Sequence, residues 1–315
     1  MISNAVLLCL GIGLLYSGSE WMVRGAAHLA LSLSIRPIIV GLTIVAFATS
    51  APELLVSLIA AIKGSAGVSL GNILGSNVAN IGLVLGASAV VRPLAVEQKM
   101  LRREIPFLIG ASGLFWLICL DGRIGKIDGI VLLSGLAYFL VLGIMTGRKD
   151  PDTEGESLVT ERKKVLWFLF LILTGMGGLV VGAHLIVKAA IFMAGQLGLS
   201  QVFIGLSIVA VGTSLPELAT SVAAGARGQH EISIGNVVGS NVFNICMVIG
   251  AVGLFSPISV DVGNMEFEFL VMFLLSIILF IFCRAGYVIN RLEGLFLMLC
   301  FFSFVGLSYW MAIKE

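Results

Sequence analysis

Apolar runs of about 20 residues recur along this chain from end to end, and that repetition limits its architecture more than any other feature. A helix of ~20 residues crosses the ~30 Å hydrocarbon core of a bilayer. Inside hydrocarbon every backbone N–H and C=O must be satisfied, which leaves helices or closed barrels. Runs of this length satisfy themselves as helices. The composition agrees: 58% of residues are hydrophobic and 12% charged, about half the charge of an ordinary soluble domain, and the mean hydropathy is +1.09. The sequence therefore predicts one all-α integral membrane domain embedded in a lipid bilayer. A net charge of +1 gives no reason to expect a nucleic-acid partner.

Hydropathy predicts ten transmembrane helices, near 4–31, 37–62, 66–91, 104–120, 127–147, 165–194, 201–226, 232–255, 266–283 and 292–312. One hydrophilic stretch, RKDPDTEGESLVTERKK at 148–164, reads as a linker. It divides the chain into a first five-helix half, 1–147, and a second, 165–315. No Lys or Arg precedes the first apolar run, so that run is expected to stay as a span and not to be removed as a secretory signal. Cys9, Cys119, Cys246, Cys283 and Cys300 lie in apolar stretches without C-x-x-C spacing. They read as reduced core residues, neither a disulfide framework nor a zinc site.

Basic residues orient the spans. One set of alternate loops carries Arg36, Arg92, Lys99, Arg102, Arg103, Arg148, Lys149, Arg162, Lys163, Lys164, Arg227, Arg284 and Arg291; the opposite set, with the C-terminus, carries Lys63, Arg123, Lys126 and Lys314. The excess belongs on the cytoplasmic side. That places the 148–164 loop in the cytoplasm and both termini outside, as an even number of spans requires.

Residues 41–80 and 205–244 align without a gap and are identical at about half their positions. Glu217 stands 164 residues after Glu53, and Asn244 the same distance after Asn80. Five spans separate equivalent points, and five is odd, so the second copy crosses the membrane in the opposite sense. Inverted-topology repeats mark secondary transporters, which bind substrate near the midplane on broken helices and work by alternating access.

Each copy contains T-S-x-P-E: Thr49-Ser50-Ala51-Pro52-Glu53 and Thr213-Ser214-Leu215-Pro216-Glu217. A helix-interior proline has no N–H and clashes with the carbonyl four residues earlier. Pro52 should therefore free the carbonyl of Ala48, and Pro216 that of Gly212, loosening those of Thr49 and Thr213 as well. Free carbonyls at bilayer depth are tolerated where they line a cavity, and there they ligate cations. Each glutamate then begins a half-helix whose dipole favours a carboxylate. A carboxylate at a helix centre costs ~2.5–3.5 kcal/mol on insertion scales, so each is a functional candidate. Together they would repel unless a cation neutralised them. Two carboxylates with carbonyls and hydroxyls form a hard, all-oxygen site of the kind that suits Ca²⁺, and the lack of nearby His or Cys argues against softer metals. The second motif, G-N-x-x-G-S-N-V-x-N, runs from Gly71 to Asn80 and from Gly235 to Asn244. Ser76 with Asn80, and Ser240 with Asn244, share helix faces and offer neutral oxygens. Asparagines here also suit interhelical hydrogen bonding alone, and the G-x-x-x-G pairs suit close helix packing.

These doubled motifs resemble the α-repeats of the Ca²⁺/cation antiporter superfamily, in its sodium/calcium exchanger branch, and the resemblance covers nearly the whole chain. It implies that Glu53 and Glu217 bind Ca²⁺ and Na⁺ in competition. By motif position it adds hydroxyls or carbonyls of Ala46, Thr49, Ser50, Ala210, Thr213 and Ser214, with Ser76, Asn80, Ser240 and Asn244 completing the site. Some such exchangers have aspartate where this chain has Asn244, so the site here holds two carboxylates instead of three. Ala48 replaces the glycine usual before T-S in the first repeat, whereas Gly212 keeps it. Proton/cation relatives typically carry G-N-A-x-E in place of T-S-x-P-E, and potassium-dependent relatives often have aspartate at the position of Glu217. The resulting expectation is a Na⁺/Ca²⁺ antiporter, not an enzyme, with no cofactor beyond the transported ions, working as a monomer in a prokaryotic plasma membrane. H⁺/Ca²⁺ or other divalent-cation exchange is the alternative, and a cation channel a more remote one. Outside the motifs, Glu20, Arg24 and His28 form a stripe on the first span, read as a local ion pair snorkelling to the interface.

Overall fold

The computed structural model describes residues 2–33, 35–146, 162–196 and 210–314. Its first half runs α1 (Ile2–Ser32), α2 (Pro37–Ile62), α3 (Ala66–Val91), the short strand β1 (Leu94–Ala95), α4 (Gln98–Arg102), α5 (Glu104–Cys119), β2 (Arg123–Ile124) and α6 (Lys126–Thr146). The second runs α7 (Arg162–Gln196), α8 (Ala210–Thr213), α9 (Leu215–Ala226), α10 (His230–Phe255), β3 (Ile258–Ser259), α11 (Glu266–Arg284), β4 (Val288–Ile289) and α12 (Arg291–Lys314). Most of the 148–164 linker and the first part of the seventh span, 201–209, lie outside the described residues. Among the described residues eight helices are long and apolar enough to cross a membrane. By order, α5 takes the fourth place and α8 with α9 the seventh. At 31 and 35 residues, α1 and α7 exceed the ~20 needed to cross, so they tilt or project beyond the hydrocarbon.

Where the chain buries its surface follows from the repeats. Of the 18-residue spanning stretch of α3, 83% is buried, and of α10, 89%, against 22% for α6, α7 and α12. The motif helices form the centre, and the others turn apolar side chains such as Tyr16, Ile127 and Leu292 outward, where lipid lies. Cys119, Cys246 and Cys283 are buried as the sequence suggests, but Cys9 is exposed on α1. An apolar stretch in a membrane protein has a lipid face as well as a core face, and Cys9 is on the former.

The two halves interleave. α3 packs on α12, and α10 on α6, so each motif helix leans on the last helix of the opposite half. β1 pairs with β4 (Leu94 opposite Ile289) and β2 with β3 (Arg123 opposite Ser259), again across halves. The α2–α3 and α9–α10 turns use Gly64 (φ 78°) and Gly228 (φ 76°), repeat mates in the left-handed conformation that glycine adopts without a Cβ penalty.

These cross-links test the span count. The β1–β4 ribbon joins the loops after α3 and after α11, and Arg36 pairs with Glu97. The Glu231 carboxylate accepts the Ile38 N–H at 3.1 Å, and Arg92 donates to the Ala226 carbonyl at 3.2 Å. Every one of these contacts joins two members of the same alternate-loop set. The β2–β3 ribbon joins two loops of the other set. An error of one span would have put partners on opposite faces.

Close backbone approach holds the centre together. A Cβ at Gly239 would lie 2.7 Å from the Leu42 carbonyl oxygen, and one at Gly235 2.9 Å from that of Ile38. The G-x-x-x-G of the second repeat thus seats α10 on α2. Gly71 and Gly75 meet no described atom within 4 Å; the repeat equivalents of residues 41–45 are 205–209, outside the described residues. Gly239→Ala should destabilise the fold by about 1–3 kcal/mol, the usual cost of overpacking, read as a lowered unfolding temperature in detergent. Gly306→Ala, where no atom lies within 4 Å, should be neutral or slightly stabilising. Equal effects from both would remove the close contact as a determinant of stability.

Candidate ion-binding site

The carboxylates of Glu53 and Glu217 are wholly buried and near enough for their charges to act on one another. Each comes from a different repeat, Glu53 from α2 and Glu217 from the first turn of α9. The helix dipole therefore reaches Glu217 as the sequence suggests, because the chain breaks at Ser214 between α8 and α9. The first repeat differs. There the α-helical segment Ala46–Ile62 runs on through Pro52, so Glu53 lies inside a helix and does not open a new one. One proline removes one hydrogen bond, and the bonds on either side carry the helix across the gap.

The irregularity of the first repeat is displaced to a π-helical stretch at Gly41–Val45. Two more π-helical stretches, Asn80–Leu85 in α3 and Phe243–Ile249 in α10, are repeat mates. Each carries its candidate asparagine, Asn80 or Asn244, at its first or second residue. Such stretches are rare and frequent at functional sites, because they re-aim side chains and carbonyls. The helix of Glu53 packs on the Phe243–Ile249 stretch and α9 on the Asn80–Leu85 stretch, so the helix that carries each glutamate rests on the π-helical stretch of the other repeat.

Thr49, Ser50, Ser76, Asn80, Ser214, Ser240 and Asn244 are all buried, as is Ala46. Thr49 Oγ1 lies 3.1 Å from Asn236 Oδ1, 3.2 Å from Ser240 Oγ and 3.3 Å from the Ala46 carbonyl. Thr49 and Ser50 also border the Glu217 carboxylate. Thr213 is half-buried and Ala210 opens α8, which packs on the Ala66–Ala79 part of α3. Among the described residues, Ser50 Oγ, Ser76 Oγ, Ser214 Oγ, Asn80 Oδ1, Asn244 Oδ1 and all four glutamate oxygens are buried without a hydrogen-bond partner. Native interiors leave few such atoms. These buried oxygens stand at positions singled out in the sequence, and hydroxyl, amide and carboxylate oxygens are the donor types that hard cations take. No cluster of three or more His, Cys, Asp or Glu occurs among the described residues.

A second layer of polar residues escaped the motif reading. Asn72 Nδ2 donates to Ser57 Oγ at 2.9 Å, and its mate Asn236 donates to Ser221 Oγ at the same distance. Asn80 Nδ2 donates to Asn241 Oδ1 at 3.0 Å, and Asn241 reaches the Asn77 carbonyl at 3.4 Å. The first two bonds join neighbouring helices within each repeat, α3 to α2 and α10 to α9, and the Asn80–Asn241–Asn77 bonds tie α3 to α10 across the repeats. The signal was present, since all four asparagines belong to the doubled G-N-x-x-G-S-N motif. Asn241→Ala should leave Asn80 Nδ2 buried without an acceptor, at about 1–3 kcal/mol. It should also shrink the thermal stabilisation that Ca²⁺ confers, measured by unfolding with and without the ion. Unchanged Ca²⁺ stabilisation would show that Asn80 is not positioned through Asn241.

The family model described as "Sodium/calcium exchanger protein" matches residues 3–145 and 167–310. The sodium/calcium exchanger MaX1 of Methanosarcina acetivorans is 32% identical over 340 residues, covering 96% of this chain and 97% of its own. The inner membrane protein YrbG of Escherichia coli is 33% identical over 323 residues, covering 99% and 98%. A solved structure of the sodium-calcium exchanger NCX_Mj, in 10 mM Na⁺ and zero Ca²⁺, superposes with a TM-score of 0.86 at 32% identity, covering 97% of this chain and 98% of the other.

Proposed function

Because the chain belongs to the sodium/calcium exchanger protein family, we propose that it is an antiporter moving Na⁺ and Ca²⁺ in opposite directions through one buried site. The observation that supports this reading is the set of buried oxygens without partners at the candidate positions of both repeats, with one wholly buried glutamate from each repeat among them. Glu53 and Glu217 supply the charge that one Ca²⁺ balances. Ser50, Ser76, Asn80, Ser214 and Asn244 supply neutral oxygens, and Thr49, Thr213, Ser240 and the carbonyls of Ala46 and Ala210 complete the shell. Na⁺ and Ca²⁺ are substrates held by the same oxygens, so each excludes the other. The transporting unit is a monomer, since both glutamates come from one chain. The membrane is a prokaryotic plasma membrane, with the 148–164 loop in the cytoplasm and both termini outside, as the basic residues direct.

The decisive measurement is ⁴⁵Ca²⁺ uptake by proteoliposomes loaded with Na⁺ and diluted into Na⁺-free buffer. Uptake should require the outward Na⁺ gradient and fall as external Na⁺ rises. Uptake driven by a proton gradient alone would move the protein to H⁺/Ca²⁺ exchange, and independent saturable binding of the two ions would contradict a shared site. Glu53→Gln and Glu217→Gln should each leave a folded protein whose exchange is lost by more than a hundredfold, since breaking a buried charge pairing costs about 3–5 kcal/mol. Normal flux in either variant would remove the core of the mechanism. Asn244→Asp adds a third carboxylate and should change the ion or pH dependence of flux; an unchanged profile would place this side chain away from the ion. For orientation, single cysteines are placed in a chain with the five native ones replaced. One at 148–164 should resist an impermeant maleimide in intact cells, and one beside Lys314 should react. The reverse pattern would invert the topology.

A further inference from the structure

A cavity of about 350 Å³ lies between α1 and the end of α9, on the face that carries most of the basic residues. Its polar wall is Arg24, His28, Arg227 and Gln229, and its apolar wall comes from α1, Leu31 included. Glu20 and Arg24 form the local ion pair expected from their spacing, at 2.5 Å. The contact that the spacing does not foretell is with Arg227, which closes on the same oxygen, Glu20 Oε1. Two guanidinium groups thus share one carboxylate oxygen, although each carries five N–H donors. A third, on Arg92, flanks the same turn: its Nη1 lies 3.1 Å from where a Cβ on Gly228 would stand. In the cavity itself two guanidinium charges, Arg24 and Arg227, stand against the one carboxylate they share, which leaves the site net positive. The Glu20 side chain is 15% exposed while that of Arg24 is 57% exposed, so the anion is tucked in and the cation faces out. Along α1 the exposed side chains of Trp21 and Leu31 flank Arg24 on either side, with Leu31 in the cavity wall.

We propose that this cavity binds the phosphate of an anionic phospholipid headgroup, held between Arg24 and Arg227, with the acyl chains against the outward face of α1. Phosphate suits paired guanidinium forks, which give bidentate bonds as well as charge, and basic pockets between helices on the cytoplasmic side are the recurrent form of such sites. The exposed Trp21 and Leu31 favour a lipid source over free phosphate, which would leave that surface uncovered. A headgroup spanning the two arginines joins α1 to the helix that carries Glu217, and so links lipid composition to the central helices. The proposal does not depend on which ions are exchanged.

The test is competitive lipid retention by the full chain in detergent, with equal phosphatidylglycerol and phosphatidylcholine, read by native mass spectrometry. Phosphatidylglycerol should be retained in preference. Its retention should drop about fivefold with Arg24→Gln and again with Arg227→Gln, while Arg123→Gln, an arginine of the opposite loop set, changes nothing. If Arg227→Gln fails to fold, Arg227→Lys keeps the charge without the fork and should still weaken retention, and the exposed Arg24 carries the test alone. Displacement of the lipid by millimolar inorganic phosphate would support phosphate as the recognised group. Equal retention of the two lipids, or native retention in both arginine variants, would overturn the proposal. Stabilisation by inorganic phosphate without any lipid preference would overturn the lipid source.

Discussion

Two carboxylates set against each other in the middle of a membrane domain are the constraint on which the rest of this structure depends. Glu53 and Glu217 are wholly buried, and their mutual repulsion is amplified where no water screens it. A chain gains nothing in stability from such a pair: a buried charge loses hydration, and a like-charged neighbour adds to the loss. On the function proposed above a cation is the third member, and the surrounding features are then intelligible as ways of offering oxygens to it. The helix break at Ser214, the π-helical stretches beginning beside Asn80 and Asn244, and the orphan hydroxyls of Ser50, Ser76 and Ser214 each sacrifice regular hydrogen bonding. Each does so within a few residues of a glutamate or on a helix packed against one.

That sacrifice needs a rigid surround, which small residues and amides provide. Gly235 and Gly239 bring the α10 backbone onto α2, and Gly41 returns the contact, its Cβ position 2.9 Å from the Ile232 carbonyl. Side chains of ordinary size would hold these helices apart and dilute the donor set. The asparagine bonds then fix rotation: Asn72 to Ser57, Asn236 to Ser221 and Asn80 to Asn241 define which face of each helix looks inward. The two layers divide the work between them, glycines setting distance and amides setting orientation.

Much of this was legible because the chain states it twice. A motif repeated after 164 residues, with an odd number of spans between the copies, specifies inverted topology without any structural knowledge, and the cross-links between same-side loops agree with that parity. The burial of the candidate donors was legible for the same reason, since a hydroxyl or amide retained in both copies at bilayer depth belongs in the interior. What escaped was local and asymmetric. Pro52 and Pro216 look equivalent in sequence, yet the helix breaks before Pro216 and continues through Pro52, because the neighbours of a proline decide whether a missing bond becomes a kink. The π-helical stretches carry no compositional mark. The second amide layer went unassigned because an asparagine that positions and one proposed to ligate are the same residue type three or eight positions apart.

The departures from symmetry have a consequence of their own. In a perfect inverted repeat the conformations open to either side would be mirror versions with equal energy, so sequence differences between the halves must set which one is populated. Those differences concentrate on one face. Glu231 accepts the Ile38 N–H and its repeat mate is Gly67; Arg227 and Glu20 pair, where their mates are Lys63 and His184; Arg92 donates to Ala226, and its mate is Ser256. These contacts join α1, α2 and the α3–α4 loop to the α9–α10 turn on that face, and no exchange of the two halves can rebuild them on the other. A conformation that opened this face would give them up without replacement. The candidate site residues are the same in the two copies, from Ala46 and Ala210 to Asn80 and Asn244, whereas the residues at the ends of these helices are not. Chemistry at the centre follows the symmetry, and the balance between the two open states is written in the loops.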